Sequence, residues 1–385
     1  MKIDQAVNIA DLHRMAKRRL PRIVFDFIEG GCDGETALAR NENSFARYGL
    51  MPRFLVDAGK RDQSTTLFGR SYAAPFGIAP TGLAALYRPR GDLLLAEAAK
   101  LANIPFIQSG SSTASIEAVA KVAPDHAWYQ VYPPHDRKIT DDLVRRARDA
   151  GFGTLVLTVD TQGLANHERN IRNGFSLALK MNPRAVLEAL LHPRWVAGYL
   201  RHGMPAFEDW RPYAPAGADA NAVAKFMVAA GRAGLTWQDV ERMRGQWPGK
   251  FVLKGILHPD DAVRAVECGV DGIIVSNHGG RRMDRAPAAL DAFPAIHAAV
   301  SKRTTLMLDS GIRRGGDILT ALCLGAQFCF TGRATLYGMI AGGLGGAGRA
   351  VAILRNEIDV VMSSIGVTGI GQLGPQFLFA HATRA

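Results

Sequence analysis

Residues 276–282, with the sequence SNHGGRR, place a histidine and two arginines directly after the apolar run "GIIV". A short apolar run of this kind, bounded by glycines, is typical of a buried β-strand. Histidine is the side chain that gains or loses a proton near neutral pH, and arginine binds carboxylates and phosphates through two parallel hydrogen bonds. These residue types are the ones that acid–base chemistry on an anion requires. Whether they form a site depends on the strand that carries them.

Two further segments combine glycine with arginine in a way that suits phosphate. They are "LDSGIRRGGD" at 308–317 and "TGRA" at 331–334, and each follows an apolar run. Glycines let backbone N–H groups approach an anion closely, and arginines neutralise its charge. Either segment alone is also compatible with a basic surface turn. At two neighbouring strand ends, they predict a phosphate site.

Eight short apolar runs recur along the chain with helix-like segments between them. The runs are apolar on both faces, as parallel strands covered by helices are; they are 76–80, 104–108, 127–132, 154–159, 251–254, 271–276, 304–309 and 327–331. This alternation predicts an α/β fold, a TIM (β/α)₈ barrel. A doubly wound sheet would need GxGxxG after the first strand, and "APTGLAAL" does not supply it.

The predicted organisation is a single domain over 1–385. The barrel occupies about 73–350, an N-terminal helical segment precedes it, and a long insertion at about 175–245 separates strands four and five. The first 21 residues are expected to form an amphipathic helix ended by Pro21.

Polar or glycine residues end every predicted strand. In a (β/α)₈ barrel these ends share one rim, which is where such barrels place their chemistry. The rim residues are Pro80, Thr81, Gly82, Ser109, Gln130, Tyr132, Thr158, Asp160, Lys254, Ser276, His278, Asp309, Gly332 and Arg333. Polar residues follow most strands because loops begin there, which accounts for a serine or a threonine. That explanation accounts less well for a lysine that ends a buried run.

The composition limits the class of protein. The formal net charge is +11, but lysines and arginines are scattered and form no stripe interleaved with aromatic residues, so we expect no nucleic-acid partner. The four cysteines form no CxxC pair, which favours a reduced compartment, the cytoplasm, and indicates neither a disulfide framework nor a metal site. No apolar run is long enough to suggest a membrane-spanning helix.

The rim motifs, taken together, resemble those of one family. "IAPTG", "WYQVY", "LTVDT", "SNHGGR" and "LDSGIRRG" are similar to segments of the FMN-dependent α-hydroxy acid dehydrogenases and oxidases, and the resemblance extends over nearly the whole chain. Within the family, the mandelate dehydrogenase branch is the most similar. The resemblance implies an FMN cofactor, a small-molecule substrate and a homotetramer.

It also implies a role for each rim residue. The flavin ring would rest on Pro80, Thr81 and Gly82. Its polar edge would be bound by Ser109, Gln130 and Thr158, with Lys254 near the side that becomes negative on reduction. The ribityl chain and phosphate would be bound by Ser276, Asp309, Gly311, Arg313, Gly332 and Arg333.

On the substrate side, the resemblance implies that His278 removes the hydroxyl proton as a hydride leaves the substrate. Asp160 would orient the imidazole and stabilise its charge, Arg281 would bind the substrate carboxylate, and Tyr132 would donate to the same region. The product of a 2-hydroxy acid would be the 2-keto acid.

Two residues on the substrate side depart from the family pattern. Phe27 stands where the family has a tyrosine, and His167 stands where it has an arginine, so two carboxylate partners are altered. Two interpretations stay open. Either a 2-hydroxy acid is held by fewer contacts, with His167 partly replacing the arginine, or the substrate lacks a free carboxylate. An oxidase that uses oxygen and a non-catalytic flavin-binding scaffold are further alternatives.

The stretch at about 180–210 mixes leucine, tryptophan and tyrosine with arginine, in a pattern that suits an amphipathic helix broken by prolines. It is compatible with a lid over the substrate mouth. It is equally compatible with a peripheral membrane contact on the inner face of the cell membrane, where arginines meet anionic lipid and a quinone could accept the electrons.

Overall fold

Eight parallel strands form a closed barrel in this computed structural model, which describes residues 2–163, 165–176 and 183–380. The barrel strands are β4 (Phe76–Ile78), β5 (Phe106–Gln108), β6 (Ala127–Val131), β7 (Thr154–Thr158), β8 (Lys250–Ile256), β9 (Gly272–Val275), β10 (Thr305–Leu308) and β11 (Phe328–Thr331). They follow one another around the barrel in chain order, and β11 pairs with β4 to close it. The predicted (β/α)₈ fold and all eight predicted strands are confirmed.

Helices and short strands surround the barrel. The helices are α1 (Ile9–Arg19), α2 (Arg22–Glu29), α3 (Thr36–Phe45), α4 (Ala84–Tyr87), α5 (Gly91–Leu101), α6 (Ile116–Val122), α7 (Arg137–Asp149), α8 (Glu168–Asn173), α9 (Pro183–Leu190), α10 (Pro193–His202), α11 (Ala220–Ala229), α12 (Trp237–Gln246), α13 (Pro259–Glu267), α14 (Ala289–Val300), α15 (Gly315–Cys323) and α16 (Arg333–Ser364). The remaining strands are β1 (Tyr48–Leu50), β2 (Thr65–Leu67), β3 (Arg70–Tyr72) and β12 (Leu378–Ala380); β1 pairs with β12, and β2 with β3.

The interior of the barrel is filled by side chains, so it is a core and not a channel. Trp128, Phe328 and Phe330 pack there with Met307. The β2–β3 hairpin closes the end of the barrel where the strands begin, because Phe68 at its turn packs on Trp128 with ring centroids 5.6 Å apart. Chemistry is thereby confined to the opposite end, where the strands finish.

The N-terminal segment differs from its prediction as one helix. A 3₁₀ turn (Ile3–Gln5) is separated from α1, because the side chain of Asn8 accepts a hydrogen bond from the backbone N–H of Asp11 and caps a new helix there. The apolar face of α1 packs on α16. Proline 21 ends the segment as predicted.

Helix α16 is long and apolar enough, by length and composition, to cross a membrane. However, 61% of its most apolar window is buried inside the protein, and Gly343 interrupts it with non-helical angles (φ 63°, ψ −137°). Its neighbours are α1, α5 and α15. These contacts are those of a core helix of the barrel's outer layer.

The chain between β7 and β8 contains the predicted insertion. Prolines 183 and 193 begin α9 and α10, which agrees with an amphipathic segment broken by prolines. Residues 177–182, where the predicted membrane stretch begins, lie outside the described residues. Helices α11 and α12 return the chain to the barrel. The domain boundaries themselves stay a prediction.

Candidate active site

A cavity of about 550 Å³ lies at the carboxyl ends of the barrel strands. Most of the predicted site residues line it. They are Phe27, Pro80, Thr81, Gly82, Ser109, Tyr132, His167, Lys254, His278, Arg281, Asp309, Gly311, Arg313, Gly332 and Arg333. Residues that are up to about 300 positions apart in the chain thus face one space, as the shared rim of a barrel requires.

The other predicted residues contact members of that lining or end neighbouring strands; Gln130, Thr158 and Ser276 are buried, and Asp160 is partly exposed. Ser276 accepts a hydrogen bond from the Lys254 ammonium at 2.8 Å, and Asp160 contacts His278. Gln130 Oε1 accepts from the backbone N–H of Gly110 at 3.2 Å. Thr158 is the last residue of β7.

The backbone after β9 explains how His278 reaches the cavity. His278, Gly279 and Gly280 all have left-handed angles, with φ of 60°, 64° and 75°. Glycine adopts this conformation readily, whereas histidine does so at some cost. The N–H of His278 donates to Ser276 Oγ at 3.0 Å, which helps to hold the turn. The turn directs the imidazole toward β7, where Asp160 lies.

His278 and Asp160 form a pair whose side chains are 22% and 12% exposed. The distance between Nδ1 of His278 and Oδ1 of Asp160 is 2.9 Å, and Nε2 of His278 lies 3.4 Å from the hydroxyl of Tyr132. Donation of the Nδ1 proton to the carboxylate leaves Nε2 as the atom that can accept a proton. This pairing of a base with an orienting carboxylate is what general base catalysis needs.

The charges around the pair keep the imidazole neutral and the carboxylate ionised. Burial lowers the pKa of His278, although Asp160 acts in the opposite direction. For Asp160, burial raises the pKa, but His278, Lys254 and Arg282 together outweigh it and the pKa is lowered. A neutral imidazole beside a carboxylate is ready to receive a proton at neutral pH.

Lys254, at the end of β8, adds a buried positive charge. Its ammonium lies 2.8 Å from Oδ2 of Asp309, and the carboxylates of Asp309 and Asp160 raise its pKa in spite of its burial. The group therefore stays protonated inside the cavity wall. It can stabilise negative charge that develops nearby.

Several polar atoms on the rim are buried and have no hydrogen-bond partner within the described part of the chain. They are Oγ1 of Thr81, Thr158 and Thr331 and Nε2 of Gln130. Thr81 and Thr331 line the cavity, and Gln130 and Thr158 lie at the ends of β6 and β7. Buried polar atoms in proteins are nearly always paired, so a group of unpaired ones at neighbouring strand ends indicates a polar ligand. Three of these atoms belong to Thr81, Thr158 and Gln130, which the family resemblance assigned to the flavin ring. Thr331 was not assigned to the cofactor.

Comparisons with known proteins agree with this geometry. The profile of the FMN-dependent dehydrogenases matches residues 16–380. The chain belongs to that family. It is 36% identical to (S)-mandelate dehydrogenase of Pseudomonas putida over 96% of this chain and 93% of the relative, and 36% identical to an L-lactate dehydrogenase of Caulobacter vibrioides over 97% and 98%. The solved structure of the monotopic membrane protein (S)-mandelate dehydrogenase superposes with a TM-score of 0.94, at 35% identity, over 98% of this chain and all of that one.

The cofactor of this family member is FMN, and the unpaired rim atoms fit its ring. The isoalloxazine edge carries both donors and acceptors, which the hydroxyls of Thr81, Thr158 and Thr331 and the amide of Gln130 can satisfy. Lys254 lies on the same side of the cavity as Ser276 and Asp309. The assignment of each residue to a part of the cofactor stays a prediction.

At the predicted phosphate end of the cavity, the backbone after β10 adopts positive φ angles. Ser310 and Gly311 are left-handed (φ 78° and 88°), and a Cβ atom at position 311 would lie 2.3 Å from the carbonyl oxygen of Asn41, so only glycine fits. Arg313 lines the cavity and also pairs with Glu42 at 2.8 Å. Arg333 donates to the carbonyls of Ile28 and Gly279, both at 2.9 Å.

Arg281 is held in place by the end of α2. Its Nη1 donates to the carbonyls of Phe27 and Gly30, both at 2.7 Å, and its guanidinium lies 5.1 Å from the centre of the Phe27 ring. All of these hydrogen bonds use Nη1. The Phe27 ring in turn stacks on Phe175 at 4.4 Å, so the position where the family has a tyrosine has become part of an apolar wall.

His167 does not supply a positive charge in place of the arginine. Its Nδ1 lies 3.0 Å from the carbonyl oxygen of Gly31, so that nitrogen carries the proton. Burial lowers its pKa, and the neighbouring Arg281 and Arg282 lower it further. At neutral pH His167 is therefore a neutral side chain with weaker attraction for a carboxylate.

Arg232 is a cavity residue that the sequence did not reveal. It lies between α11 and α12, in the predicted insertion, and its guanidinium stands 4.0 Å above the Tyr132 ring. No motif surrounds it, and its neighbours "AAGRAGL" are those of an ordinary loop. Only the folded insertion shows that it faces the active site.

Proposed function

We propose that the protein oxidises a 2-hydroxy acid to the 2-oxo acid, with an apolar group on the carbon that carries the hydroxyl. The observation that carries the proposal is the His278–Asp160 pair, in which Nε2 of His278 lies 3.4 Å from the Tyr132 hydroxyl in a cavity that Arg281 also lines. A base and a cation on one substrate-sized space are what removal of a proton from a hydroxyl next to a carboxylate requires.

Each residue has a definable task in this reaction. His278 Nε2 accepts the hydroxyl proton, and Asp160 stabilises the imidazolium that forms. Tyr132 positions the hydroxyl through its own O–H, and Lys254 lowers the cost of negative charge beside it. When bound, FMN supplies the acceptor for the hydride that leaves the same carbon.

The cavity favours a substrate with a free carboxylate over an amide or an ester. Arg281 and Arg232 both face the space, whereas the altered residues Phe27 and His167 contribute no charge. A positively charged side chain in a partly buried site gains from a bound carboxylate, which supplies negative charge and hydrogen-bond acceptors. Arg232 thus compensates for the arginine that the family has at position 167.

The remaining wall defines the substrate side chain. It is formed by Phe27, Phe175, Phe207 and Met227, which are apolar and in part aromatic. Burial of an aryl or branched aliphatic group against this surface makes substrate binding more favourable, and burial of a charged group makes it less favourable. We therefore place the substrate nearer to mandelate than to glycolate.

Anaerobic reduction of the yellow protein by a substrate panel tests this proposal. We expect mandelate to bleach the flavin at lower concentrations than lactate or glycolate, and 2-hydroxy-phenylacetamide and mandelate methyl ester to be poor substrates.

Arg232→Gln should raise the KM for mandelate about ten- to hundredfold, the scale for loss of one charged contact, with little change for the amide. Lys225→Gln, at an exposed position of α11, is the matched control. If the amide is the best substrate and Arg232→Gln leaves KM for mandelate unchanged, the carboxylate proposal is wrong.

We further propose that the protein binds the inner face of the cell membrane through α9 and α10, passes electrons to a quinone and assembles as a homotetramer. Exposed leucines on both helices support the membrane contact, together with the exposed Arg201 of α10. The tetramer is supported by membership of the family alone. Sedimentation of the detergent-solubilised holoenzyme tests it, and reoxidation by oxygen as fast as by quinone would favour an oxidase instead.

A further inference from the structure

A second cavity, of about 420 Å³, lies between α10 and the barrel wall. Its inner wall is formed by α4 and the start of α5, and its outer wall by Trp195, Gly198 and Tyr199 of α10. Trp195 and Tyr199 stack at 5.9 Å, and the indole N–H of Trp195 donates to the carbonyl of Leu86 at 2.8 Å. The hydrogen bond attaches the outer wall to α4, and the ring contact aligns the two aromatic side chains of that wall.

Two positively charged side chains of this cavity have no ion-pair partner among the residues that the structure describes. Arg19 and Arg194 both line it, and Nε of Arg19 is buried without a hydrogen bond. Burial and then the charge of Arg194 lower the pKa of Arg19. The acidic residues of the wall are already engaged, because Asp92 accepts a hydrogen bond from Thr113 and Glu208 pairs with Arg211. A ligand here must offer hydrogen-bond acceptors to the arginines. Its binding becomes tighter if it acquires negative charge while it is bound.

Tyr87 connects this cavity to the active site. It lines both cavities, and its hydroxyl, 3.4 Å from the carbonyl oxygen of Gly82, donates to the loop on which the flavin ring is expected to rest. The side chain is buried, so the two spaces are separated by the short helix α4 and this ring. A group bound in the second cavity is therefore next to the cofactor and yet outside the substrate pocket.

The far side of α10 faces outward with apolar side chains. Leu200 is 77% exposed, and Leu187, Leu190 and Leu191 on and after α9 are also exposed. A hydrophobic molecule that approaches from a membrane would meet these leucines before it reaches Trp195 and Tyr199. The helix pair α9–α10 thus carries both an exposed apolar surface and one wall of the second cavity, so an apolar ligand could enter along it.

We propose that this second cavity is the binding site for the quinone that accepts the electrons. A quinone has a flat ring for the Trp195–Tyr199 wall, two carbonyl acceptors for the arginines and an apolar tail for the leucines. This inference rests on the proposed function for the identity of the electron donor. The exchange balances: one 2-hydroxy acid and one quinone give one 2-oxo acid and one hydroquinone, with two electrons and two protons transferred. Both quinone carbonyl oxygens become hydroxyls.

A cavity-filling variant tests the site. Gly198 faces Pro89, with 3.3 Å between a Cβ at that position and the proline ring, so Gly198→Leu projects into the cavity. Ala197→Leu adds the same side chain to the exposed face of the same helix and is the matched control. The oxidised holoenzyme is irradiated with an azido-substituted short-chain quinone, and the labelled peptides are identified by mass spectrometry.

We expect labelling within 84–93, 113–118 or 193–206, its loss in Gly198→Leu and its retention in Ala197→Leu. Reoxidation of the reduced holoenzyme by short-chain quinone should slow at least about tenfold in Gly198→Leu. Bleaching by mandelate should change less than about twofold, since the substrate pocket is untouched. Labelling in the substrate pocket, or wild-type reoxidation by Gly198→Leu, would overturn the proposal.

Two other outcomes are informative. Labelling needs no substrate, so a failure of every hydroxy acid to bleach the flavin would refute the proposed function without affecting this test. Quinone-free vesicles of anionic phospholipid can be added as a competitor of the labelling quinone. If they abolish labelling, and if Gly198→Leu weakens vesicle binding but leaves quinone reduction unchanged, the cavity binds a lipid headgroup and the quinone assignment is wrong.

Discussion

At the scale of single residues, the site depends on charges that are balanced inside the protein. His278 is kept neutral by burial and oriented by Asp160, while Lys254 stays charged because two carboxylates surround it. Removal of any member leaves an unpaired buried group, which is more costly than the loss of one hydrogen bond. The three groups therefore act as one unit.

The first prediction concerns His278. His278→Ala should retain FMN, because no unpaired rim atom belongs to this residue, and should slow flavin reduction at least ~10²-fold, the scale for loss of a general base. The absorbance decay at the flavin band in a stopped-flow instrument measures this. His258→Ala, at an exposed histidine, is the control.

The pH dependence of the wild-type reaction is a second readout for the same residue. Only the neutral imidazole accepts a proton, and burial holds the pKa of His278 below its ordinary value. The rate of reduction should thus be constant above about pH 6.5 and fall only in more acidic solution. A rate that rises between about pH 7 and pH 9 would contradict this assignment.

At the scale of elements, the helix pair α9–α10 carries an exposed apolar surface. Leu187, Leu190 and Leu191 are exposed within five positions, and among the described residues a comparable run of exposed apolar side chains occurs at Phe54, Leu55 and Val56. Arginines flank the three leucines, as anionic lipid would favour. The pair combines an apolar outer face with an inner face that lines the second cavity.

The second prediction concerns the outer face of this pair. The double variant Leu187→Asp/Leu190→Asp should reduce partition onto anionic vesicles at least about tenfold, since it removes apolar contact and adds charge that the lipid repels. Co-sedimentation of the holoenzyme with vesicles measures it. Leu101→Asp, at a leucine that is 72% exposed on α5, is the matched control. Equal partition of all three proteins would show that α9 does not contact the membrane.

At the scale of the whole molecule, one buried carboxyl fastens the insertion to the barrel. Asp209 Oδ1 accepts from the N–H of Ile116 at 2.8 Å, and Oδ2 accepts from the Gln108 amide at 3.3 Å. Burial raises the pKa of Asp209 to about 7, although Arg146 at 3.6 Å acts in the opposite direction. Because Phe207 lines the active site two residues earlier, this contact also fixes part of the substrate wall.

The third prediction follows from this raised pKa. The unfolded chain releases the Asp209 proton near pH 4, whereas the folded protein retains it to about pH 7, so the free energy of unfolding falls as the pH rises between these values. The contribution is on the order of a few kcal/mol. The free energy of unfolding can be measured in urea at several pH values for the wild type and for Asp209→Asn. The difference between the two proteins should shrink or reverse as the pH approaches 7. The exposed Asp125→Asn should show no such trend, and a constant difference for Asp209→Asn would refute the prediction.

Much of the fold could be predicted because barrel strands are short, apolar on both faces and ended by polar residues. That pattern placed His278, Asp160 and Lys254 on one rim. The helix break at Asn8 was missed because a cap depends on one side-chain hydrogen bond within an otherwise helical pattern. Arg232 was missed because insertions have no periodicity that directs a side chain to the barrel mouth.

Strand order and local motifs were enough to predict the barrel, the FMN family and the rim residues, because the ends of successive parallel strands meet at one rim. Tertiary structure decided the rest: that His167 is neutral against Gly31, that Arg281 is held by the end of α2, that Arg232 faces Tyr132, and that α10 encloses a second cavity. These features depend on contacts between segments far apart in the chain. Their energies come from burial and pairing, which local sequence does not encode.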